Sequence, residues 1–205
     1  MRPVPFVSRI PPALALACAC ALAVAGEPAP IGLKAGAFDP PQAAAEFPDG
    51  VSATDGGALR LARYRGKVVL LVFGFTHCPA VCPTTLATLV EARRLLGADA
   101  VALQVVYVTV DPERDDLAHV RRYLAGFDPA FVGGTGQPQA LALLRKRYGV
   151  SAQKLPAAGG GADYAMSHST SIYLIDREGR LRALMPFGHS AADFAHDVRQ
   201  LLALR

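Results

Sequence analysis

The chain has little charge, few cysteines, no internal repeat and an N-terminal apolar run too short to span a membrane, and each shortage excludes something. Charged residues are 19% of 205 positions, and 21 Lys and Arg against 17 Asp and Glu leave a formal charge of +4. That balance lacks the basic footprint of a protein that binds nucleic acid or phosphate. Four cysteines cannot build a disulfide scaffold, so cysteine chemistry has to come from particular pairs. The run Ala13 to Ala25 is apolar and uncharged but only 13 residues long, where a membrane span needs about 20. An apolar content of 52% at this length supports one sizeable core rather than two.

Arg2 and Arg9 precede the apolar run, Pro11 and Pro12 open it, and Ala23-Val24-Ala25 before Gly26 has the small residues of a cleavage site. Residues 1–25 are therefore expected to be a secretory signal peptide. Retention as a membrane anchor, or acylation at Cys18 or Cys20, stays open, although Ala15 and Ala17 stand where a lipoprotein site has Leu. Export places the mature chain in the bacterial periplasm or on the outer face of the inner membrane, where free thiols tend to oxidise. Nine of the 16 prolines fall at or before Pro48, and residues 26–48 read as a Pro-rich linker. One domain is expected over residues 49–205.

Within it, Asp55-Gly56-Gly57 suggests the turn of an N-terminal β-hairpin, and Lys67 to Phe75 is a β-branched and aromatic run typical of a buried strand. Cys82 to Leu96 has helical spacing and stops at Gly97. Val101 to Val110 reads as a second buried strand, Asp115 to Leu124 and Pro138 to Tyr148 as helices, Ser171 to Asp176 and Arg180 to Met185 as an antiparallel pair, and Ala191 to Leu204 as a closing helix. Ala157 to Ala162, with three glycines, reads as a flexible loop. The order predicts an α/β, thioredoxin-like mixed sheet with flanking helices.

The chemistry concentrates in Phe73-Gly74-Phe75-Thr76-His77-Cys78-Pro79-Ala80-Val81-Cys82-Pro83-Thr84, at the junction of the first buried strand and its helix. Residues four apart on a helix share a face, with backbones about 6 Å apart, inside the disulfide range. Pro83 fits a first helical turn, so Cys82 is expected at the helix N-terminus with Cys78 on the loop before it. The helix dipole there should favour thiolate and make the pair both nucleophilic and metal-binding. Two thiolates suit Cu(I) but leave it short of a third ligand, for which imidazole is the natural supplement.

Among five histidines, His119 and His196 sit beside charged residues on expected helices and read as solvated. His189 lies at a turn where it can help to cap the last helix, and His77 points away if Cys78 faces the site. His168 precedes the Ser171 to Asp176 strand, and in a thioredoxin-like sheet the loop entering that strand packs beside the reactive cysteines. Thioredoxins carry a cis-proline in that loop. Here no proline occurs between Pro156 and Pro186, which favours a metal site over general disulfide exchange. Met166 reads as packing, and the basic runs Arg121-Arg122 and Arg145-Lys146-Arg147 as a solvated face.

Phe75-Thr76-His77-Cys78-Pro79 to Cys82-Pro83, Val108-Thr109-Val110-Asp111-Pro112-Glu113-Arg114-Asp115, and His168-Ser169 leading into Ile172-Tyr173-Leu174-Ile175-Asp176 together resemble the Sco/SenC family of copper-binding, thioredoxin-like proteins. The likeness runs from about Val51 to the C-terminus. It implies copper, Cu(I) or Cu(II), held by Cys78, Cys82 and His168, with Cys78 and Cys82 also able to form a redox-active disulfide. It further implies a metallochaperone, rather than a turnover enzyme, that delivers copper to the binuclear centre of cytochrome c oxidase or matures its thiols. Expected partners are that copper-bearing subunit and another periplasmic copper carrier or thiol reductant. Asp111 matches an acidic residue near the family's site, its alternative being a helix cap. Ala80 stands where many members have Asp between the cysteines. A thiol-disulfide oxidoreductase of the cell envelope is the competing reading, and it predicts that His168 is dispensable.

Overall fold

A computed structural model describes residues 32–156 and 164–204. The expected signal or anchor segment 1–25 and the Ala157 to Ala162 loop lie outside the described residues. The strands are β1 (Gly36–Ala43), β2 (Val51–Ala53) and β3 (Val68–Gly74), followed by helix α1 (Val81–Leu96). Then come β4 (Leu103–Thr109), α2 (Leu117–Ala125), β5 (Val132–Gly136), α3 (Pro138–Tyr148), β6 (Ala152–Pro156), β7 (Tyr164–His168), β8 (Ile172–Ile175), β9 (Arg180–Met185) and α4 (Ala191–Leu202). Seven strands form one mixed sheet in the order β1-β9-β8-β3-β4-β5-β2, and β6 and β7 form a separate two-stranded sheet. β3 lies at the centre, parallel to β4 and antiparallel to β8.

Every residue of β3 and β4 is buried, as a strand covered on both faces requires. Side chains alternate between the two faces. Val68, Leu70 and Val72 of β3 join Leu86 and Leu89 of α1 and Phe194 and Val198 of α4. Val69, Leu71 and Phe73 join Leu141, Leu144 and Tyr148 of α3, with Phe47 and Leu59. Two apolar layers thus clamp a sheet whose central strand ends at Gly74, directly before the cysteine loop.

Four strands depart from the sequence reading. Within the expected linker, Gly36–Ala43 is an edge strand on β9, and Phe47 is 1% exposed. The ladder is irregular between Ala37 and Gln42, which spans Pro40 and Pro41, so the missing N–H groups fall where none is needed. The segment is anchored by Asp197 of α4, whose buried carboxylate accepts from the backbone N–H of Lys34 at 2.7 Å and Ala35 at 2.9 Å. β5 has the sequence Val-Gly-Gly-Thr-Gly, without apolar alternation. A Cβ on Gly133 would stand 2.4 Å from Val120 and 2.9 Å from Leu124, so glycine there lets α2 lie against the sheet. β6 and β7 are largely surface strands with little core pattern to detect.

The Asp55-Gly56-Gly57 turn forms, with Ala53 N–H donating to Gly57 O and Leu59 N–H to Val51 O, both at 2.9 Å. The hairpin itself is short, a single Ser52–Ala58 bridge, and β2 pairs mainly with β5. Among the basic runs, Arg121 donates to Thr54 O at 2.6 Å and Arg147 to Glu46 O at 2.7 Å. These arginines tie down loops rather than forming a purely solvated face. Asp197→Ala should leave two backbone donors unpaired and lower stability by about 1–3 kcal/mol, measured by urea unfolding, with faster amide exchange along β1 than in wild type.

Candidate metal centre

Three segments converge at the C-terminal end of β3. Gly74 hands the chain to a loop carrying Thr76, His77 and Cys78, and α1 begins at Val81 with Ala80 as its N-cap, so Cys82 occupies the second helical position. Cys82 is 2% exposed, Cys78 is half-buried, and both are free thiols. The Cys82 N–H donates to Cys78 Sγ at 3.3 Å. One of the four N–H groups that every helix start leaves without an intrahelical partner is thus turned to the Cys78 sulfur.

The expectation for Cys82 itself is reversed. Its position at the helix start should lower its pKa, but burial pushes the thiol up to about 12, with Cys78 adding to the rise and the Phe75 backbone opposing it. Desolvation of a full charge outweighs a half-charge at a helix end. Cys82 is a protonated thiol at neutral pH.

Gly74 permits this packing. A Cβ there would lie 2.6 Å from the Tyr107 hydroxyl and 2.9 Å from Cys82 Sγ, so the strand end must be glycine for both to approach. Tyr107, fully buried on β4, therefore shares the space over Gly74 with the Cys82 sulfur.

His168 ends β7, rather than lying in a loop, and brings Nε2 to 3.8 Å from Cys82 Sγ. Its Nδ1 lies 2.7 Å from the Ser169 carbonyl oxygen. A carbonyl only accepts, so Nδ1 carries the proton and Nε2 presents a lone pair towards the sulfur. Phe75 holds the ring edge-on at 5.7 Å, and burial lowers the His168 pKa, opposed by the Ser169 contact. The neutral imidazole, the form that ligates metals, is favoured. Two sulfurs and one nitrogen of this kind can hold a soft cation.

Asp111 does not cap a helix. Asp116 is the N-cap of α2, accepting from His119 N–H at 2.6 Å. The buried Asp111 carboxylate instead pairs with Arg114 Nε at 2.6 Å and accepts from the Tyr164 hydroxyl at 2.6 Å. Arg114 also donates to the Tyr164 carbonyl at 3.0 Å and stacks 3.8 Å over its ring, and Lys154 of β6 pairs with Glu113. Asp111 thus helps to fasten the β6–β7 sheet, on which His168 lies, to the loop after β4. Tyr164 and Arg114 in this clamp, and Asp115 below the cysteine loop, were not singled out from the sequence; the Asp-Pro-Glu-Arg-Asp run is the signal that contains two of them.

Met166 is half-buried and packs against the core. His189 lies 3.6 Å from Asp193, while Ser190 and Asp193 form the capping box of α4. His196 contacts Asp197 at 3.0 Å.

The SCO1/SenC family model matches residues 43–203. The chain belongs to the SCO1/SenC family. It is 38% identical over 144 residues to the mitochondrial SCO2 homologue of Mus musculus, covering 69% of this chain and 56% of that protein, so it spans little more than half the relative's length. It matches the copper-bound structure of ScoI from Bradyrhizobium japonicum with a TM-score of 0.70 and 36% identity, over 78% of this chain and 99% of that one. Copper-bound yeast Sco1 matches with a TM-score of 0.67 and 27% identity, over 78% and 88%. The thioredoxin-like Sco fold is therefore shared.

Arg114→Ala should release the β6–β7 sheet of this SCO1/SenC domain. Its amides are expected to exchange about tenfold faster by hydrogen-exchange mass spectrometry, with β3 and β4 unaffected, because the clamp and the central sheet open independently.

Proposed function

We propose that this chain is a copper chaperone in which Cys78, Cys82 and His168 hold Cu(I) or Cu(II) as cargo. The observation that carries the reading is the approach of His168 Nε2 to Cys82 Sγ, with Nδ1 engaged by a carbonyl so that the free lone pair faces the sulfur. A disulfide oxidoreductase has no use for that imidazole. Family membership and copper-bound relatives support copper as the cargo, and support the copper-bearing subunit of cytochrome c oxidase as the recipient. The further partner of this reading is another periplasmic copper carrier or a thiol reductant, met in the bacterial periplasm or at the outer face of the inner membrane. Among the described residues no helix is long and apolar enough to cross a membrane.

The binding chemistry follows from the proton inventory. Cu(I) must displace the Cys82 proton, and the half-buried Cys78 offers the more accessible sulfur for first contact. Transfer is ligand exchange: incoming thiolates of the recipient replace Cys78, Cys82 and His168 around the ion, and protons return to the released sulfurs. No electron moves in this step when the ion stays Cu(I).

Anaerobic titration of the reduced protein with Cu(I), against a competing chelator, should give one tightly bound equivalent. His168→Ala should weaken it by about tenfold or more, and Cys78→Ser/Cys82→Ser should abolish it. A wild-type protein that binds no copper yet reduces protein disulfides would overturn the reading. Because the Cys82 thiol stays protonated to about pH 12, affinity should rise about tenfold per pH unit through the neutral range for that one proton. Chelator competition at pH 6, 7 and 8 measures the slope, and a flat profile would contradict a bound Cys82 thiolate.

A further inference from the structure

On the other flank of the cysteine loop, His77, Asp115 and His119 bring one potential ligand atom each to within 4.8 Å of one another. The three come from different segments: the loop before α1, the turn after β4, and the first turn of α2. His77 and His119 rings are stacked at 5.4 Å with planes 28° apart, and one nitrogen of each lies within 4.8 Å of the other and of an Asp115 carboxylate oxygen. His77 Nδ1 is 3.8 Å from Asp115 Oδ1. None of these residues belongs to the Cys78, Cys82 and His168 set.

The carboxylate is held as a metal ligand is usually held. Asp115 is fully buried, Oδ2 accepts from Thr76 N–H at 3.0 Å and Thr109 Oγ1 at 2.6 Å, and Oδ1 accepts from Thr76 Oγ1 at 2.6 Å. Those bonds fix its orientation, and Oδ1 keeps a second lone pair on the side of His77. The histidines are exposed or half-exposed, which leaves an entry path and open coordination positions. Donor atoms within 4.8 Å of one another must draw closer to stand about 2.0–2.2 Å from one ion, and the His77 Nδ1 contact with Thr76 Oγ1 at 3.2 Å gives way to the ion.

We infer that His77, Asp115 and His119 form a second metal site, open to solvent, for a divalent cation of borderline softness such as Cu(II) or Zn(II). Two imidazoles and a carboxylate suit such ions and offer Cu(I) no sulfur. His77 and Cys78 are sequence neighbours, so the two sites share one loop while presenting opposite ligand chemistry.

The test separates the two sets. A Cys78→Ser/Cys82→Ser/His168→Ala chain, titrated with Cu(II) alone, should bind one equivalent with an electron paramagnetic resonance signal split by two nitrogens. Adding His119→Ala should remove one nitrogen and weaken binding by about tenfold or more. In the wild-type background, whose folding is not at issue, His119→Ala should lower the Zn(II) stoichiometry by one equivalent and leave Cu(I) loading unchanged. Cu(II) binding that is indifferent to His119, or an unchanged Zn(II) stoichiometry, would overturn the site. Loss of Cu(I) loading in the His119→Ala chain would also overturn it, because the two sets would then be one. Failure of wild-type Cu(I) binding alone would sink the chaperone reading and leave this site standing.

Discussion

The Asp115 carboxylate, buried without solvent contact, takes its three hydrogen bonds from Thr76 and Thr109, and the Asp115 carbonyl accepts a fourth from Thr135 Oγ1 at 2.7 Å. Thr76 leaves the end of β3, Thr109 ends β4, and Thr135 lies in β5, so one residue gathers three adjacent parallel strands at the end where the cysteines sit. A buried anion is tolerated only when such donors replace its water. Two hydroxyl donors and one amide do so here, and the loop that carries Cys78 inherits their geometry. Removing the carboxylate would free Thr76 and with it the register of Cys78 against α1.

Against that rigid floor, His168, the proposed third ligand, is held differently. His168 belongs to a two-stranded sheet with no ladder to the central one, fastened through Asp111, Arg114 and Tyr164 and by the Lys154–Glu113 pair at the surface. On the proposed chaperone reading, this division suits an ion that is held and then surrendered. The two sulfurs are fixed by core packing, whereas the imidazole can withdraw with its small sheet at the cost of a few polar contacts rather than of the core.

The parts legible in the sequence are those whose local pattern and tertiary role agree. β3 and the helix over Pro138–Tyr148 have the right period, and Cys82 with Pro83 marks a helix start on local chemistry alone. His168 stands out by its place just before the Ser171 to Asp176 strand, in a stretch without the proline that thioredoxins carry there. What escaped notice had no local signal: the glycines of β5 leave room for α2 at Gly133, for Leu59 at Gly134 and for the Gly50 backbone at Gly136, and β1 carries two prolines because its position at the edge tolerates them. Asp115 is one of four acids from Asp111 to Asp116, and only the fold shows that it is buried while Asp116 caps the helix.

Cys82 shows where local reasoning and the folded environment conflict. Helix position argues for a thiolate, and burial beneath Gly74 and beside Tyr107 argues for a thiol; desolvation is the larger effect, since it acts on the whole charge and the dipole supplies about half of one. The same burial that makes Cys82 a poor nucleophile in water makes its metal-bound form well protected, because a cation neutralises the sulfur that the core would otherwise reject. A disulfide exchanger wants its attacking thiol ionised near ambient pH. A carrier that must keep a soft ion away from water gains from a sulfur that ionises only when the ion arrives.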